Sequence, residues 1–141
     1  MNITFKAFKS LPEQAKFIRI NVFVDEQGFV DEFDENDGKS IHILMYDNIK
    51  AIGTCRIIYS DEHNCYMIGR FAILKEYRGL GLGRKLMEFT EKEIIKRFGK
   101  IQIGVSAQER VSKFYENVGF STTNERYLDQ DCPHVFMIKN L

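Results

Sequence analysis

Midway along the chain, Glu76-Tyr77-Arg78-Gly79-Leu80-Gly81-Leu82-Gly83-Arg84-Lys85 sets three alternating glycines between positive side chains. Glycine reaches backbone angles closed to other residues and lets a ligand come close to the main chain. If a helix opens at the last glycine, its first amides lack internal partners and sit at the positive end of the helix dipole. Such a loop suits a pyrophosphate, and Arg78, Arg84 and Lys85 add charge to the same end. The bland alternative is a glycine-rich turn before an ordinary helix, and the flanking arginines weigh against it. Two better-known phosphate loops fail on spacing. A P-loop needs Lys then Ser or Thr after its last glycine, but Arg84, Lys85 and Leu86 follow Gly83; a dinucleotide loop wants G-x-G-x-x-G near a first strand.

A second group of reactive side chains is acidic. Asp31-Glu32-Phe33-Asp34-Glu35-Asn36-Asp37 holds five carboxylates in seven residues. It is not a calcium loop, because Phe33 falls at the first ligand position counted back from Gly38 and Leu44 stands where the bidentate Glu belongs. Either it draws a cationic amine or it is a solvated surface loop. His42 and His134 lie on expected strands and read as structural, and His63 reads as a turn residue. No pair of these groups has metal-ligand spacing, so no bound metal is expected. Cys55, Cys65 and Cys132 are odd in number and far apart, which fits reduced, structural thiols.

These groups must be held by one domain spanning residues 1–141. The chain has 141 residues, 44% of them apolar, with 12 Phe, enough for one substantial core and too few for two. Twenty basic against 20 acidic residues give a formal charge of zero, so nothing favours nucleic acid or an anionic membrane. No apolar run approaches the roughly 18 residues that cross a bilayer, and the start lacks a signal-type stretch, which implies a cytoplasmic chain.

Period-two patterning predicts strands over residues 3–8, 41–46, 51–59, 66–74, 100–105, 120–127 and 134–139, the second to fourth forming an antiparallel meander. Ser10-Leu11-Pro12-Glu13 looks like a capping box opening a helix whose face is Phe17, Ile20 and Val24 and whose stop is Gly28. A longer helix follows the glycine loop, with Leu82, Leu86, Thr90, Ile94 and Phe98 on one face and Gly99 at its end. A short one runs from about residue 108 to 117, before Gly119. The expected order is βα(α)βββαβαββ.

In that setting, Arg78-Gly79-Leu80-Gly81-Leu82-Gly83 resembles the R/Q-x-x-G-x-G/A signature of the GNAT N-acetyltransferase superfamily. Ile68-Gly69-Arg70-Phe71-Ala72-Ile73 resembles the strand leading into it, and Lys113-Phe114-Tyr115-Glu116-Asn117-Val118-Gly119-Phe120 resembles the superfamily's later motif. Val22-Phe23-Val24-Asp25-Glu26-Gln27-Gly28-Phe29 and Pro133-His134-Val135-Phe136-Met137 are similar to a bacterial branch whose acceptors are mostly unassigned. Gln108 departs from the Asn common at the start of the short helix, and Val111 from a small residue.

The resemblance implies an α/β (α+β) single domain with a strongly twisted, mostly antiparallel sheet of about seven strands flanked by helices. It implies acetyl-CoA as cosubstrate, held by Arg78, Gly79, Leu80, Gly81, Leu82, Gly83 and Arg84 at the pyrophosphate and by the backbone of Phe71, Ala72 and Ile73 at the pantetheine. Acetyl would lie where this strand splays from the one at residues 101–105. Transfer would be direct, to a primary amine, with Tyr115 at the family's position for the general acid and no covalent enzyme intermediate. The acidic segment falls where relatives bind the acceptor, which makes Glu26, Gln27 and Glu32 candidates. A small-molecule amine is the expected acceptor. A peptide acceptor and a catalytically weak acyl-CoA sensor remain open, and because many relatives pair, so does a homodimer.

Overall fold

The computed structural model describes all residues, Met1–Leu141. Seven strands form one sheet: β1 (Ile3–Phe8), β2 (Ile41–Asp47), β3 (Lys50–Ser60), β4 (Cys65–Ile73), β5 (Gln102–Gln108), β6 (Ser121–Asp129) and β7 (Cys132–Asn140). Their spatial order is β1-β2-β3-β4-β5-β7-β6, so the last hairpin inserts its second strand beside β5. All neighbours are antiparallel except β4 and β5. The expected element order is the observed one.

Helices cover both faces. α2 (Leu82–Phe98) buries Leu82, Leu86, Met87, Thr90 and Ile94 against the face that carries Ile43, Met45, Ile57, Ile68 and Ile103. α3 (Ser112–Asn117) closes the same layer with Tyr115. On the opposite face α1 (Glu13–Arg19) lays Ala15 and Ile18 over Leu44, Ala72 and Leu74. Each fully buried Ile or Leu removes enough apolar area to contribute roughly 1.5–3 kcal/mol.

Two local expectations at α1 are corrected. Ser10 does not cap it: Pro12 stands at the N-cap in extended conformation, and its carbonyl receives the Ala15 and Lys16 amides at 3.0 and 3.2 Å. Nor is Phe17, Ile20, Val24 the buried face, since Phe17 is 61% and Ile20 41% exposed. The buried stripe is Ala15, Ile18, Arg19, Val22 and Phe23; it contains an arginine, which apolar periodicity cannot count.

Past Arg19 the helix widens into a π-helical segment, Ile20–Glu26. Gly28 ends it as expected, in the left-handed region at φ 79°, and lets the Phe29 amide return to the Phe23 carbonyl at 2.9 Å. A π-segment seldom persists without a role, and this one delivers Glu26 and Gln27 to the site. No helix is long and apolar enough to cross a membrane.

Candidate active site

The parallel pairing of β4 and β5 is short. Tyr66, Met67 and Ile68 pair with Ile103, Gly104 and Val105, and the ladder then ends. Just beyond, β4 bulges against β3: Thr54 pairs with Ala72 but Arg56 with Gly69, and Arg70 takes a left-handed φ of 49°. A bulge bends its strand, so β4 turns away and a gap opens between Gly69–Ile73 on one side and Ser106–Gln108 on the other. The splay therefore lies one step later than the expected stretch 101–105. Backbone groups of β4 that face away from β3 have no strand partner here.

This gap belongs to a cleft of about 750 Å³ whose lining includes Phe71, Ala72, Ile73, Gly81, Arg84 and Tyr115. Arg78, Gly79, Leu82 and Gly83 also line it, as do Glu26, Gln27 and Glu32. Leu80 alone among the candidate site residues does not; its side chain is 55% exposed and points outward.

The glycine loop is built as its residues predict. Gly79 and Gly81 take φ of 78° and 77°, and a Cβ at either would meet nothing, so backbone angle rather than space demands glycine. Gly83 has another reason: a Cβ there would stand 3.0 Å from the Phe114 ring, so this glycine lets α2 press on α3. Arg84 fastens the same junction, donating from Nη2 to the Asn117 carbonyl at 2.8 Å. The amides of Gly79, Leu80, Gly81, Leu82 and Gly83 donate to no protein acceptor. A phosphate fits this cradle, and the cleft has the size of a cofactor pocket.

Arg78 is engaged elsewhere. Its Nε donates to the Ile73 carbonyl at 2.9 Å, and Nη1 and Nη2 donate to Glu26 at 2.9 and 3.0 Å, a bidentate pair at the cleft wall. Gln27 is bridged across the cleft, its Oε1 receiving Gln108 Nε2 at 2.8 Å, while Arg110 Nε donates to Gln108 Oε1 at 2.8 Å. So Gln108, the departure from the common Asn, makes a contact across the site.

Tyr115 is 9% exposed and framed edge-on by Phe114 and Phe120, with ring centroids at 5.1 and 5.9 Å. No protein group bonds its hydroxyl, and burial, reinforced by the nearby Cys55, pushes its pKa well above the ordinary tyrosine value. Cys55 itself is sealed against Thr90, and burial lifts its thiol to about 12, which makes it unreactive at neutral pH. All three cysteines are free.

In the acidic segment Asp31 and Glu35 are exposed and unpaired, but Glu32, Asp34 and Asp37 are held by arginines. Arg19 Nε donates to Glu32 at 2.6 Å and its Nη1 to Asp37 at 2.8 Å; Arg56 Nη1 donates to Asp34 and Asp37, both at 2.9 Å. Arg70 reaches Glu32 at 3.1 Å and Asp34 at 3.3 Å. Burial would raise the Asp37 carboxyl, but hydrogen bonds and charge from Arg19 and Arg56 outweigh it and hold it at about 2. For Glu32 burial prevails over Arg19 and Arg70, and its pKa rises. Glu32 is thus a strut holding the loop to α1 and β4.

His42 is buried, with Nε2 against the Asp37 carbonyl at 2.9 Å, and desolvation lowers its pKa. His63 pairs with Glu125 on β6 at 2.5 Å; with Glu62 these form a group whose ligand atoms lie within 4.8 Å of one another, brought together by the fold and not by spacing. His134 lines the cleft with Nδ1 against the Cys132 carbonyl at 2.8 Å. Ser106, hydrogen-bonded to Tyr127, also lines it, on β5 just past the last pairing with β4, and Gln130 is brought there by the insertion of β7 beside β5; no local pattern marks either residue.

A glycine cradle feeding free amides into a cleft between parted parallel strands is the layout of an acyltransferase, and comparison with known proteins agrees. A Bacillus subtilis protein provisionally named an acetyltransferase is 37% identical over 127 residues, 86% of this chain and 84% of that one. A solved Lactobacillus plantarum structure, provisionally named an N-acetyltransferase, superposes with a TM-score of 0.87 at 28% identity over 99% of this chain and 98% of that one. An acyl-CoA N-acyltransferase from Pseudomonas aeruginosa gives 0.82 at 26% identity over 98% of each chain. Residues 12–141 match the family model of the acetyltransferase (GNAT) domain, and the chain belongs to that family.

Proposed function

We propose that this enzyme moves acetyl from acetyl-CoA directly to a primary amine of a small molecule. The observation that carries the reading is the continuity of one cleft from the free amides of Gly79, Gly81, Leu82 and Gly83, past the unpaired edge of β4, to Tyr115 with its unpartnered hydroxyl. Bound acetyl-CoA would supply an activated thioester; Gly79, Gly81, Leu82 and Gly83 would hold its pyrophosphate and Phe71, Ala72 and Ile73 its pantetheine.

Amides on that strand edge face the place where negative charge grows on the carbonyl oxygen as the amine attacks, and fixed donors in a sheltered cleft stabilise such charge strongly. An amine resembling lysine has a pKa of about 10.4 and is almost wholly protonated at pH 7, so a base must take its proton. Glu26, Asp31 and His134 line the cleft and are able to do so. Tyr115 stays neutral and keeps its proton for the leaving thiolate; burial weakens the phenol as an acid, and the same desolvation strengthens the thiolate as a base.

The test is release of CoA thiol from acetyl-CoA across a panel of primary amines. Amine-dependent release is expected, and Tyr115→Phe should lower kcat by about 10²-fold with CoA affinity kept. No amine-dependent release by the native chain sinks the transfer reading; equal kcat in the two chains sinks the role of Tyr115.

A further inference from the structure

We infer that Glu26 couples the two substrates of this reaction to each other, an inference that rests on the acetyl-CoA reading above. Three of the five N–H donors of Arg78 are taken, one by the Ile73 carbonyl at 2.9 Å and two by the Glu26 carboxylate at 2.9 and 3.0 Å. The side chains are 41% and 31% exposed, so the pair is open to ligands on both sides. Directly after Arg78 come five amides with no partner. Glu26 lines the main cleft and also the adjoining pocket formed with Gln27, Phe29, Arg110 and Gln130. One ion pair therefore joins an anion cradle to an acceptor pocket.

A phosphate on the cradle offers Arg78 the same kind of oxygen acceptors that Glu26 does, and its charge repels the Glu26 carboxylate. Two Arg78 N–H groups stay free for it, but it gains the bidentate edge that Glu26 holds only by breaking the pair. An ammonium group in the adjoining pocket competes from the other side, for the carboxylate. Whichever ligand arrives first breaks the pair, and the second then finds its partner free. Such coupling is reciprocal by linkage: a cationic acceptor tightens CoA as much as CoA tightens the acceptor. The same pair discriminates against neutral acceptors, which cannot take Glu26 from Arg78. Glu26 thus acts on CoA through Arg78 and on the acceptor directly.

The experiment is calorimetric titration of CoA into the native chain, Glu26→Gln, Arg78→Gln, the double variant, and Glu76→Gln as a charge control whose carboxylate pairs with Lys50 at 3.6 Å and not with Arg78. Each is repeated with n-butylammonium chloride, against tetramethylammonium chloride at equal ionic strength. Glu26→Gln should bind CoA roughly three- to fivefold tighter, the scale of one half-exposed ion pair. That gain should vanish in the Arg78→Gln background and be absent in Glu76→Gln. Butylammonium should tighten CoA in the native chain and not in Glu26→Gln. Equal or weaker CoA binding by Glu26→Gln, or the same gain without Arg78, overturns the coupling alone. No CoA binding by any chain with a native melting curve overturns the acetyl-CoA reading and the coupling with it.

Discussion

Around Arg19 the protein packs three guanidinium groups against three carboxylates, whereas around Gly81 it leaves five consecutive amides without a protein partner. By charge alone the first region is the more conspicuous. Its formal charges cancel, however: Arg19, Arg56 and Arg70 face Glu32, Asp34 and Asp37, and of their fully buried nitrogens only Arg56 Nε goes without an acceptor. The glycine loop carries weaker dipoles, but nothing inside the fold answers them. Unanswered polarity, and not density of charge, marks the place where a ligand belongs.

The contrast is broken most directly at Arg19. Arg19→Met leaves the Glu32 and Asp37 carboxylates buried without that partner, and removal of one member of a buried ion pair costs about 3–5 kcal/mol. Urea unfolding should register that loss; a change below about 1 kcal/mol would mean that the network is not structural.

Gly81→Val tests the other side. At φ 77° a β-branched side chain is strained although it meets no neighbour, so the loop must shift its amides at an intrinsic cost of roughly 1–2 kcal/mol. Stabilisation by CoA at 100 times its dissociation constant, about 2.7 kcal/mol for a ligand that binds only the folded state, should disappear. A thermal titration that shows the native ligand shift in Gly81→Val would separate the loop from the cofactor.

Why one region was legible in the sequence and the other was not follows from the same contrast. The requirements of the glycine loop lie in consecutive residues: left-handed angles at Gly79 and Gly81, then a helix start. Strands and α2 were legible because alternation and the Leu82, Leu86, Thr90, Ile94 spacing repeat along the chain. The partners of the acidic segment come from α1, β3 and β4, and no local pattern links Asp37 to Arg19 and Arg56. An arginine on the buried stripe of α1 even misdirected the reading of its face. Likewise Ser106 and His134 meet in the cleft only because β7 lies between β5 and β6.

The smallest expected effect is the sharpest in sign. Asp37 has a folded pKa of about 2 against an ordinary value of 3.8, so its stabilising contribution is complete above the ordinary value and lost as pH falls from about 4 through about 2. A difference of nearly two pH units corresponds to about 2 kcal/mol. Glu32 works in the opposite direction, because its raised pKa favours the folded state as acid is added. Unfolding free energies of the native chain and Asp37→Asn, followed from pH 5 to pH 2, isolate the Asp37 contribution. The native chain should lose about 2 kcal/mol more than Asp37→Asn over that range. The free amides of the glycine loop carry no titrating proton there, so Gly81→Val should follow the native acid profile. A profile for Asp37→Asn parallel to the native one would show that Asp37 is not held by Arg19 and Arg56, and the distinction between an answered and an unanswered region would fail at its most polar point.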